Sequence, residues 1–148
     1  MTNLPATPST LEREITALTD DLAPASAETI AACIDAMKRA GMAVPAGIPP
    51  AEIVHEYSIA LRSVPKIGLK DAMRRIRQGE YTDMDYSFMP RPAELAKRAR
   101  AEAARYREDL VRKRETYQAL TAPAARKDPA MIERVRKLVD GFKQGASA

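Results

Sequence analysis

The residues that could do chemistry are few, and most fail on spacing. His55 is the single histidine and stands between Glu52 and Glu56. A zinc-protease H-E-x-x-H pattern needs a second histidine at position 59, which is Ile59. A surface ion pair is the expectation for His55. Cys33 is the single cysteine, and no base beside it in the sequence lowers its pKa, so an inert buried thiol is expected. Asp83 and Asp85 lie in a turn-like stretch and make a weak carboxylate pair. Neither a G-x-x-x-x-G-K-[ST] loop nor a G-x-G-x-x-G loop is present. The sequence therefore predicts no enzyme activity, no metal and no cofactor.

The cationic residues carry a clearer pattern. Residues 1–60 hold 3 basic and 8 acidic side chains, while the remainder hold 21 and 12. Such a split suits a half that faces a polyanion, or contact between copies. Arg98, Arg105 and Arg112 each have acids one helical turn away, which predicts pairing within their own helix. Arg100, Arg107 and Arg114 have none at i±3 or i±4, and their seven-residue spacing keeps them on one ridge. A second row, Lys66, Lys70, Arg74 and Arg77, repeats at spacings of 4, 4 and 3. Of these, Arg77 is expected to meet Glu80, and Asp71 to serve Arg74 or Arg75. Both rows are candidates for a phosphate backbone, where guanidinium groups replace condensed cations, or for an acidic protein face. The competing reading is a solvated helix surface with arginines stacked over Tyr106 and Tyr117.

Helices must position these rows. Alanine, arginine, glutamate, leucine and lysine dominate and aromatic residues are only 5%, which argues for an all-α fold. Helix 1 is expected to start at a Ser9–Glu12 capping box and run to about Leu22, with Leu11, Ile15, Leu18 and Leu22 as its stripe. Ser26 and Gly41 bracket helix 2, which buries Ile30, Cys33, Ile34 and Met37. Helix 3 follows Pro50 and turns Ile53, Tyr57, Ala60, Leu61 and Val64 inward. Helix 4 spans Lys66 to about Gln78, with Leu69, Ala72, Met73 and Ile76 at helical spacing. Helix 5 opens at Pro92 and reaches about Ala119, presenting Leu95, Ala99, Ala103, Tyr106, Leu110 and Tyr117. After Pro123, Asp128-Pro129 begins a last helix with the stripe Met131, Val135, Leu138, Val139 and Phe142.

The expected architecture is a small four-helix bundle, then a long charged helix and a short C-terminal helix. Residues 1–8 form a disordered start, 9–96 the bundle, 97–122 a basic helical extension, and 123–148 a linker with the last helix. Between the bundle and the extension, Phe88, Pro90, Pro92 and Leu95 form the junction, with Phe88 laid across the bundle as a lock.

The run Y-S-I-A-L-R-S-V-P-K-I-G-L-K-D-A-M-R-R-I-R-Q-G-E, followed by F-M-P-R-P-A-E-L-A, resembles the helical domain of phage and prophage replicative-helicase loaders or inhibitors. Over about residues 50–96, Tyr57, Leu61, Pro65, Ala72, Phe88, Pro90, Glu94 and Leu95 occupy the matching positions. The chain departs from that family in having tyrosine where tryptophan is common, and a long charged helix where a flexible helicase-binding tail is usual. The resemblance implies a cytoplasmic, non-enzymatic adaptor of DNA replication that binds a replicative helicase without a nucleotide of its own. Direct contact with the DNA backbone, through the two cationic rows, goes with that expectation. The alternatives are a DNA-binding regulator with no helicase partner, and a structural homo-oligomer that sets basic helices against acidic ones. No apolar run reaches the ~20 residues a bilayer span requires, and no membrane partner is expected.

Overall fold

The computed structural model describes residues 7–122 and 129–145. Among them the chain forms six α-helices and no strand: α1 (Pro8–Asp21), α2 (Ala27–Arg39), α3 (Ile53–Leu61), α4 (Lys66–Arg77), α5 (Pro92–Thr121) and α6 (Pro129–Gly145). A 3₁₀ turn at Pro50–Glu52 leads into α3. The expectations for residues 1–6, the stop at Pro123, the cap at Asp128 and the side chain of Met131 lie outside the described residues.

Local chemistry sets the ends. Ser26 caps α2 by accepting a hydrogen bond from the Thr29 amide. Helix α4 stops just before Gly79, whose φ of +68° turns the chain back so that the Glu80 amide reaches the Arg75 carbonyl at 3.0 Å. The start of α1 differs from expectation. Thr7, not Ser9, is the cap, and its hydroxyl accepts from the Thr10 amide. Pro8 explains the shift, because its missing N–H and fixed φ suit the first helical position.

Helix α5 is the hub, packing against α4, α1 and α3. One continuous core joins α2, α3, α4 and the first turns of α5, with Ile34, Tyr57, Leu61, Leu69, Ile76 and Leu95 essentially sealed. The four helices around the core are thus α2–α5, whereas the sequence grouped α1–α4. Helix α1 instead lies along α5, burying Leu11, and Lys113 of α5 reaches Glu14 at 3.8 Å. The boundary at residue 96 therefore does not separate a bundle from an extension. Ala99 and Ala103 are fully buried and Leu110 nearly so, because α4 and then α1 cover those turns.

Close approach of α4 to α5 depends on Gly68. An added Cβ there would run into the Ala99 carbonyl and sit 2.9 Å from the Ala103 Cβ. Three small residues, Gly68, Ala99 and Ala103, let the two backbones come together and set the register of α4 on α5.

The junction before α5 also differs from expectation. Phe88 is 47% exposed and does not cross the bundle; Met89 is the buried anchor. The physical reason is an extended pairing with the α2–α3 connector. The Ala43 amide donates to the Ser87 carbonyl at 2.9 Å and the Met89 amide to the Ala43 carbonyl at 2.8 Å. Alternation along that segment sends Met89 inward and Phe88 out. Pro90 is buried beside it, its carbonyl accepting the hydroxyl of the sealed Tyr57. Pro92 then opens α5, and Leu95 is fully buried as expected.

Candidate functional site

The amphipathic pattern of α4 turns Leu69, Ala72, Met73 and Ile76 into the core and leaves the row Lys66, Lys70, Arg74 and Arg77 on the outside. All four members of that row line one open groove of about 640 Å³ between α2 and α4. The floor comes from the small and apolar side chains Ala32, Cys33 and Ala36 of α2 with Ile67 and Met73 of α4. The groove is therefore apolar along its base and cationic along its α4 rim, with two acids, Asp21 and Asp71, also in its lining. Lys66 reaches Asp20 at 3.5 Å and Arg74 stands 4.0 Å from Asp71. Lys70 and Arg77 are exposed and have no acidic partner among the described residues. The Arg77–Glu80 pairing expected from sequence is not formed, since Glu80 bonds Arg75 at 3.2 Å. Burial pushes the Cys33 thiol up to about 11, so it is protonated and unreactive at neutral pH.

The other side of α4 is knitted to α5. Asp71 accepts hydrogen bonds from the Tyr106 hydroxyl and from Arg105, each at 2.6 Å. Burial works against its charge, but these hydrogen bonds and the nearby cations outweigh it and hold the carboxyl below its ordinary range. Arg75 pairs with Glu102, which also accepts the Tyr81 hydroxyl at 2.9 Å. The Arg75 and Arg98 guanidinium groups lie over the Tyr81 ring at 4.3 and 4.5 Å. Arg98 in turn pairs with Asp83 at 3.1 Å and Glu94 at 2.9 Å. Burial and the bond to Glu102 push the Tyr81 hydroxyl up to about 12. This network fastens the turn before α5 to both helices.

Its members correct the intrahelical scheme expected for the arginines. Arg98 does use Glu94, yet Arg105 reaches across to Asp71 rather than to acids of its own helix. Among the described residues Arg112 forms no ion pair. Sequence reasoning missed Gly68 and the ring of Tyr81, and gave Asp71 only to arginines of its own helix. The one available signal was the position of Asp71 beside the apolar stripe of α4, where an acid needs partners.

The ridge of α5 lies apart from the groove, to which no α5 residue contributes. Arg100 donates to the Ser63 hydroxyl at 3.3 Å, in the turn between α3 and α4. Arg107 and Arg114 are exposed and without an acidic partner among the described residues. The structure thus does not merge the two cationic rows into one surface.

The remaining candidates stay separate. His55 is exposed and forms no ion pair with Glu52 or Glu56, contrary to expectation. Asp83 belongs to Arg98, and Asp85 accepts the Ser87 amide within the turn. No group of three metal-ligating side chains occurs among the described residues. None of their helices is long and apolar enough to cross a membrane. Comparison of the chain with protein-family models, curated proteins and solved structures gives no match.

Proposed function

We propose that this chain is a non-enzymatic adaptor that grips an acidic helix of a protein partner in the α2–α4 groove. The observation that carries the reading is the placement of Lys66, Lys70, Arg74 and Arg77 along one apolar-floored groove. An apolar floor suits the hydrophobic face of a helix, and the cationic rim suits acids flanking that face. A bare phosphate backbone would use the rim and leave the floor wet. The resemblance of residues 50–96 to helicase loaders and inhibitors supplies the partner: the replicative helicase of a phage-type replication system. Co-purification of the full chain with the host's replicative helicase tests this. A stable complex supports the proposal, and no complex at micromolar concentrations, with or without nucleotide, overturns it.

A second reading rests on a different observation, Arg107 and Arg114, which have no acidic partner among the described residues, beside Arg100 on α5. It makes the chain a DNA-backbone binder, acting with the helicase or without one. Binding should then fall steeply with salt and be weakened by Arg100→Ala, Arg107→Ala and Arg114→Ala together. Absent or salt-insensitive binding removes it.

A further inference from the structure

We propose that α6 is an interfacial helix that lies on an anionic lipid surface. Ile132, Val135, Leu138, Val139 and Phe142 are between 47% and 82% exposed, so no element among the described residues covers them. At the pitch of an α-helix these five side chains fall within one arc of about 120°. Five large apolar groups on one uncovered face need an occupant.

The charges around that arc select which one. Arg134 borders one edge of the apolar face, and Arg136 and Lys143 border the other. Glu133 and Asp140 stand on the polar side of the helix beyond those cations, together with Lys137 and Gln144. A helix lying in a headgroup layer needs this order, with cations at the level of lipid phosphates and acids out in water. Pairing with α6 of a second copy would bring one cationic edge against another, with the acids too remote to compensate. Nucleic acid offers nothing for the apolar arc to bury against. The lack of an apolar run long enough to span a bilayer does not bear on a helix that lies along its surface. This inference is independent of the α2–α4 groove.

The chain has no tryptophan, so Phe142→Trp places a single reporter on the proposed lipid face. The full-length variant, mixed with phosphatidylcholine vesicles containing phosphatidylglycerol, should show a saturable blue shift in emission. Partitioning onto pure phosphatidylcholine should be weaker by roughly tenfold or more, and Arg134→Gln with Arg136→Gln should erase most of that difference. Leu138→Asp in the same background should abolish the shift while leaving the urea midpoint of the bundle unchanged. Co-sedimentation of the unsubstituted chain with the same vesicles guards against an effect of the tryptophan itself. Emission and sedimentation that ignore anionic vesicles overturn the proposal. So does a blue shift that grows with protein concentration in the absence of lipid, which would assign the face to a second copy.

Discussion

Gly68 of α4 lies against the Ala99 carbonyl of α5 so closely that no side chain fits between them. That contact fixes the height at which α4 rides on α5, and with it the position of the cationic row on the far side of α4. Gly68→Ala should therefore destabilise the fold by roughly 3 kcal/mol, through overpacking against backbone that cannot move aside. The sign is diagnostic, because glycine to alanine inside an ordinary helix gains about 1 kcal/mol. Gly141→Ala, where an added Cβ meets nothing within 4 Å, should show no such loss. Urea denaturation midpoints of the two variants check this.

Asp71 predicts how stability depends on acid. Its folded pKa is lowered by Tyr106, Arg105 and Arg74 despite burial, so its contribution is fully present above the ordinary carboxylate pKa. The contribution is lost as pH falls through the ordinary range toward the lowered folded value. Tyr106→Phe should remove roughly 1 kcal/mol and reduce the acid sensitivity. Denaturation midpoints measured across the acid range, for the chain and for Tyr106→Phe, test both statements.

The junction predicts an inversion of the sequence-based ranking. Met89→Ala should cost roughly 2–4 kcal/mol, since it empties a sealed site. Phe88→Ala should stay within about 0.5 kcal/mol, since its ring faces solvent. Tyr57→Phe should cost roughly 1–3 kcal/mol by leaving the buried Pro90 carbonyl without its donor. Thermal unfolding of the three variants orders them.

Cys33 reports on the groove floor. With its thiol pushed up to about 11, alkylation at neutral pH should run roughly a hundredfold slower than for a free cysteine. The rate should rise with pH until the thiol ionises. Occupation of the groove by a helical partner should slow it further, which mass spectrometry of the alkylated chain can follow.

Much of the fold is legible in the sequence because caps and stripes are local. Ser26, Gly79 and the burial of Ile30, Cys33, Ile34 and Met37 follow from short-range rules and hold in the structure. Pro8 carried the signal for the true start of α1, but Ser9 with Glu12 offered a competing box of the same chemistry. What was not legible depends on pairing across the chain. Phe88 and Met89 are both apolar, and only the hydrogen bonds to Ala43 decide which one turns inward. Gly68 reads as a weak point in a helix until Ala99 is known to face it. Arg105 has acids within its own helix, and only the packing of α4 shows that Asp71 takes it instead. The row on α4 was identified as a cationic ridge, while its apolar floor comes largely from α2, which periodicity within α4 does not contain.

On the proposed reading, the cationic rim of the α2–α4 groove holds the partner. Titration of the host's replicative helicase with the full chain, and with Lys70→Glu plus Arg77→Glu, addresses it most directly. Both side chains are exposed and have no acidic partner among the described residues, so the reversals should leave the fold intact. The double reversal should weaken binding by roughly a hundredfold or more, whereas Arg100→Ala, Arg107→Ala and Arg114→Ala together should leave it near the original value. Equal affinity for the reversed and the original chain would contradict that reading.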